Sequence, residues 1–258
     1  MRFLYTMRRE IYMQKKRLTI YVITALIILF VFEVMPVIIA AIFGSHLPEA
    51  SLYSELFSLF LFIGGCLYTS TLFQKDMFSK DNNHGWLMLP ASTAEKFFAK
   101  GLMSIAFPFV LVIFFSVASV FIEGLLTLTA RIPFMPFSPF FPEVWEMVAH
   151  ALIAQSVFLL GGVFFRKAHF SKTILTLGII LIGLSMIAAV TTFLIFQPVI
   201  LSNGVTVYGF GRNVNLLSDS DFSLLKTFAT AFYWGILPLF CWITSYIRVE
   251  EVQYTDAV

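Results

Sequence analysis

The run Leu18 to Phe43, LTIYVITALIILFVFEVMPVIIAAIF, carries one charged residue, Glu33, and no lysine or arginine. A helix needs about 20 apolar residues to cross roughly 30 Å of hydrocarbon, so this run alone spans a bilayer. The rest of the chain has the same character. It is 59% hydrophobic and 12% charged, against about 25% charged in soluble domains, and its mean hydropathy is +0.88. These values predict an integral membrane protein. Its 258 residues, rich in phenylalanine (31) and with 10 prolines, fit a single all-α membrane domain covering 1–258.

Five further stretches match the first: about 52–73, 101–126, 147–165, 173–197 and 225–247. Six transmembrane helices place both termini on one side. Cytoplasmic connections collect lysine and arginine. With the N-terminus inside, only Arg131, Arg212 and Lys226 of the 17 basic residues lie outside, so both termini are expected in the cytoplasm. The first apolar run is far longer than the about 7–15 residues of a signal-peptide core, and it is expected to stay as the first span.

Ahead of it, residues 1–17 space Phe3, Leu4, Met7 and Ile11 at helical intervals among Arg2, Arg8, Arg9, Lys15 and Lys16. That pattern predicts an interfacial amphipathic helix, apolar face in the inner leaflet and basic side chains on anionic head groups. The plainer alternative is a basic tail without fixed structure.

The longest inner connection, Gln74 to Lys100, ends in GWLMLPASTAEKFFAKGL (Gly85 to Leu102). Pro90 precedes Ser92, and Ser92 with Glu95 three residues on forms a capping box, each side chain satisfying the other's backbone N–H. The spacing predicts a short cytoplasmic helix presenting Phe97 and Phe98 beside Lys96 and Lys100. The plainer reading makes it the start of the third span, its lysines snorkelling to the boundary.

The stretch Thr69 to Leu102 resembles a segment of small bacterial permease subunits of ATP-binding-cassette transporters, of the type 2 exporter class. The matching residues are Leu89, Pro90, Ala91, Ser92, Glu95, Lys96 and Phe97, and the layout of a basic leading helix and six spans agrees. The resemblance implies a permease in the bacterial cytoplasmic membrane, with a coupling helix between spans two and three that docks on a separate ATPase subunit. Ser92, Glu95, Lys96, Phe97, Phe98 and Lys100 would form that helix. A second permease copy or a paralogue would complete the translocation path, and ATP and Mg would sit on the partner ATPase. The chain itself has no Gly-x-x-x-x-Gly-Lys-Ser/Thr loop, and no cofactor is expected in it.

Other chemistry is thin. Glu33, deep in the first span with Pro36 one turn later, is the intramembrane polar candidate, because a carboxyl there normally faces the bundle or a wet cavity. It contacts cargo or stabilises helix packing, and the packing role is the plainer. Glu123, near the outer end of the third span, is expected to reach water. Cys66 and Cys241 fall in apolar runs and His150 is a lone histidine, so no metal set, disulfide or catalytic constellation is expected. A charge of +2 gives no reason to expect nucleic-acid binding.

Two outer connections stand out. In RIPFMPFSPFFPE, Pro133, Pro136, Pro139 and Pro142 recur at the period of a polyproline II helix, with Phe134, Phe137 and Phe140 on another edge. This predicts a stiff strut anchoring the outer helix ends, or a greasy rim for a lipophilic cargo. In the second, Asn203-Gly204 between two β-branched runs predicts a hairpin. The functional expectation is an ATP-driven exporter subunit, not itself an enzyme, moving an amphiphilic or peptide-like cargo. Two alternatives remain: a noncatalytic scaffold or sensor subunit, and an ion-coupled secondary transporter, which the absence of an inverted repeat disfavours.

Overall fold

The structure, a computed structural model, describes residues 2–43, 52–73, 77, 91–130, 133–165, 167–203 and 226–255. All regular elements among them are helical. They are α1 (Arg2–Phe43), α2 (Tyr53–Leu59), α3 (Gly65–Thr71), α4 (Thr93–Ala130), α5 (Pro142–Phe164), α6 (His169–Asn203) and α7 (Leu237–Thr255). A π-helical turn, Phe60–Gly64, joins α2 to α3 in one continuous rod, and a second, Phe232–Ile236, leads into α7. The described residues thus form six long helical rods. Five are long and apolar enough to cross a membrane: all but the α2–α3 rod. By helix length and hydropathy this is a multi-pass membrane protein.

The first correction concerns the N-terminus. α1 is unbroken for 42 residues, about 63 Å at 1.5 Å per residue, so the basic segment continues the first span instead of forming a separate surface helix. No glycine or proline interrupts the chain before Pro36, and nothing breaks the helical hydrogen bonding at Arg17. The face it buries is also the reverse of the expected one. Thr6, Glu10 and Gln14, at i, i+4 and i+8, are buried, while Leu4 and Ile11 are exposed.

The second correction is parallel. The capped segment is not a separate short helix: α4 runs 38 residues from Thr93 to Ala130, and the capped segment is its first two turns, as the plainer reading has it. The capping box forms as expected: the Ser92 N–H donates to Glu95 Oε2 at 2.9 Å, and the Glu95 N–H donates to Ser92 Oγ at 3.2 Å. With no glycine or proline between Ser92 and Lys100, a helix started there has nothing to stop it.

α5 is the hub, with 56% of its most apolar stretch buried against 6% for α6. It packs against α3 and α7. Gly162 permits the close approach: a Cβ there would lie 2.6 Å from the Ser70 carbonyl oxygen. Thr69 Oγ1 and Ser104 Oγ share a buried hydrogen bond of 2.9 Å between α3 and α4, the kind of polar contact that holds helices together in lipid. Ile180, Leu181, Ile182, Leu184, Met186 and Ile187 on α6 are all exposed. Apolar on every side and bare of protein contacts there, such a helix is stable only in an apolar medium.

The proline-rich connection is not a straight strut. Residues 133–138 have no regular structure, 139–140 turn, and Pro142 is the first residue of α5, where its fixed φ suits a helix start and its missing N–H costs nothing. Phe137 drops into the core: its N–H donates to Ser119 Oγ at 3.0 Å, and its ring lies 5.0 Å from Phe57. Phe134 and Phe140 remain exposed. Phe137 thus ties the connection to α2 and α4. At the expected hairpin, α6 continues through Asn203, so the first of the two β-branched runs is helical; the remainder lies outside the described residues.

Candidate functional site

Among the described residues, the polar side chains singled out in the sequence centre on two places, one at the head of α4 and one between α1 and the start of α2. The head of α4 begins at the capping box and at once turns its residues in opposite directions. Helical phase puts 97, 100, 101 and 104 on one face, and that face is buried. Phe97 is 1% exposed, Lys100 0% and Lys96 4%, whereas Phe98 is 54% exposed. Phe97 is the centre of an aromatic cluster, 5.7 Å from Phe73, 5.7 Å from Trp242 and 5.6 Å from Tyr246. Its edge-on contacts with Trp242 and Tyr246 are the arrangement that ring quadrupoles favour. Gly101 leaves room for the Trp242 ring.

The expectation that Phe97 and Lys100 stand out from this helix is therefore corrected. Lys100 reaches inward, donating to the Leu72 carbonyl at 3.0 Å, standing 3.9 Å from Glu10 Oε2 and 5.1 Å over the Phe73 ring. The buried cation has an anion, a carbonyl and a ring face, the partners a charge away from water requires. Glu10 also accepts from Arg9 at 3.3 Å, and Arg17 reaches the Thr71 carbonyl at 3.5 Å. Side chains and carbonyls from α1, the α2–α3 rod and α4 thus lock three rods at one end. Of the six sequence-predicted residues, Ser92, Glu95 and Phe98 stay accessible. Leu89 and Pro90 lie outside the described residues.

This lock was half legible. The stripe Thr6–Glu10–Gln14 has helical spacing, but a polar stripe on a basic segment reads as solvated. Only the position of Lys100 in the phase of Phe97 reveals that a lysine belongs to the interior.

The second gathering surrounds Glu33. Its Oε1 accepts the Leu52 N–H at 3.0 Å, so a carboxylate of α1 caps the start of α2, where free N–H groups and the positive helix end meet. Tyr53 and Glu123 are buried beside it, 1% and 4% exposed, and the two carboxyls are within electrostatic reach of each other. Glu123 was expected to reach water and does not. Its position at the mouth of the third span concealed that α1 and the start of α2 cover it. Glu33 thus ties α1 to the start of α2.

His150 Nδ1 pairs with the Tyr233 hydroxyl at 2.8 Å, tying α5 to the rod that ends in α7. Cys66 and Cys241 are buried free thiols. Among the described residues no three histidine, cysteine, aspartate or glutamate side chains gather where a metal ion would fit.

Comparison with known proteins brings no match, whether to a family model, a curated protein or a solved structure.

Proposed function

We propose that the chain is the membrane-spanning permease subunit of an ATP-driven exporter of the type 2 ATP-binding-cassette class, moved by a separate ATPase and paired with a second permease copy or paralogue in the bacterial cytoplasmic membrane. The observation that carries this reading is the head of α4. The segment that resembles the permease motif begins a long, capped helix whose first turns are bound to α1 and to the α2–α3 rod through Lys100. A coupling device needs a part that a partner can grip, rigidly joined to the spans that must tilt. Ser92, Glu95 and Phe98 supply the grip, and Phe97 and Lys100 supply the joint. The bare flank of α6 offers apolar surface to lipid or to the second permease.

In this scheme the ATPase presses on the exposed edge of α4, and the lock carries the displacement into three rods as one body. The cargo is amphiphilic or peptide-like. The lipid bilayer is the third partner, and ATP and Mg are held by the ATPase. Affinity purification from native membranes tests the reading. The wild-type chain is expected to bring down an ATPase in near-equal amount, and Phe98→Asp to reduce it at least tenfold while the chain still inserts. Recovery of the chain without any ATPase would contradict it.

A further inference from the structure

Beside the Glu10–Lys100 contact, α1, the α2–α3 rod and α4 leave a groove of about 250 Å³. Its lining is apolar almost throughout, including Leu18, Val22, Gly64, Ala106 and Phe107. The π-helical turn Phe60–Gly64 contributes to the wall, and such a turn displaces helix register and is frequent at functional positions. Gly64 keeps that wall thin: the nearest atom to a Cβ there would be the Phe107 ring at 3.8 Å. Tyr68 and Phe107, stacked at 4.9 Å, form part of the surface behind it. Val22 and Val110, 41% and 57% exposed, show that the groove opens sideways.

Basic side chains flank it along the N-terminal half of the α1 stripe. Arg8, Ile11, Lys15, Leu18 and Val22 follow one another at alternating steps of three and four along a single stripe of α1, which is one helix face. Met7, Ile11, Leu18 and Val22 line the groove, so Arg8, next to Met7, and Lys15, between Ile11 and Leu18, flank its edge, where Lys15 also borders a neighbouring opening lined by Lys16 and Thr19. Both are exposed, and neither is in an ion pair among the described residues.

We propose that this groove holds one acyl chain of an anionic membrane phospholipid, with its phosphate on Arg8 and Lys15. The lining offers nothing to a polar solute. A lateral opening admits a chain from the bilayer. Two basic side chains flanking the groove favour a lipid of net negative charge over a zwitterionic one, whose ammonium they repel. The proposal does not depend on the ATP-driven reading.

Native mass spectrometry of the purified chain, titrated with phosphatidylglycerol and with phosphatidylcholine of the same acyl chains, tests it. The wild type is expected to retain one phosphatidylglycerol per chain at a concentration at least tenfold lower than phosphatidylcholine. Ala106→Trp, filling the groove from an exposed wall position, is expected to weaken that binding at least tenfold with helicity unchanged. The double variant Arg8→Gln, Lys15→Gln is expected to bind both lipids alike. Equal retention of the two lipids by the wild type overturns the proposal, as does undiminished binding by Ala106→Trp. So does loss of a dimer mass in that variant, which assigns the groove to a second copy. A phosphatidylglycerol with a diazirine in its acyl chain gives a readout independent of variant folding: adducts are expected on 102–114 or 18–25, and adducts only elsewhere overturn the assignment.

Discussion

Phe97 and Phe98 are adjacent and chemically identical, and their environments are opposite. Phe97 fills the space between α3, α4 and α7, so Phe97→Ala is expected to cost about 3–5 kcal/mol. Phe98→Ala, at a surface position, is expected to stay within about 0.5 kcal/mol. Equilibrium unfolding in detergent micelles measures both, and equal losses would contradict the assignment of the core face. The capping box between Ser92 and Glu95 was legible in the sequence because it is local: four consecutive residues contain all its partners. The burial of Lys100 was not, because its anion, carbonyl and ring come from Glu10, Leu72 and Phe73, and sequence spacing on one helix says nothing about what another brings to it. Glu123 was misjudged for the same reason.

Element boundaries depend on what stops a helix. Between Ser92 and Ala130 the chain has Gly101, Pro108 and Gly124, yet α4 passes through all three; neighbouring rods hold it where propensity alone would weaken it. The division of α1 at Arg17 and of α4 at Lys100 followed the edge of hydropathy, which marks where lipid ends, not where hydrogen bonding ends. Packing between rods gives a sharper test. At Gly162 a Cβ meets the Ser70 carbonyl oxygen, whereas at Gly178 on α6 it meets nothing within 4 Å. Gly162→Ala is therefore expected to destabilise by about 1–3 kcal/mol. Gly178→Ala is expected to be neutral or to stabilise by up to about 1 kcal/mol. A thermal-unfolding series in one detergent reads both, and similar shifts would show that α5 does not approach α3 this closely.

At the scale of the molecule, hydropathy carried the class and most of the spans, because crossing hydrocarbon is a demand that every residue of a run must meet. The α2–α3 rod met it in the sequence as one stretch; the π turn divides its helix into segments of seven, five and seven residues. What hydropathy could not convey is that α1 and α4 are longer than a bilayer is thick, about 63 and 57 Å at 1.5 Å per residue. Both therefore continue beyond it. Joined by Glu10 and Lys100, their basic ends form the lever on which the proposed coupling rests.

Replacing the exposed Phe98 with p-benzoylphenylalanine and irradiating native membranes is the most direct measurement of that lever. The account predicts a covalent adduct between this chain and an ATPase, with a yield that changes when ATP is bound. An inserted chain that gives adducts only with lipid, at any nucleotide concentration, would contradict it.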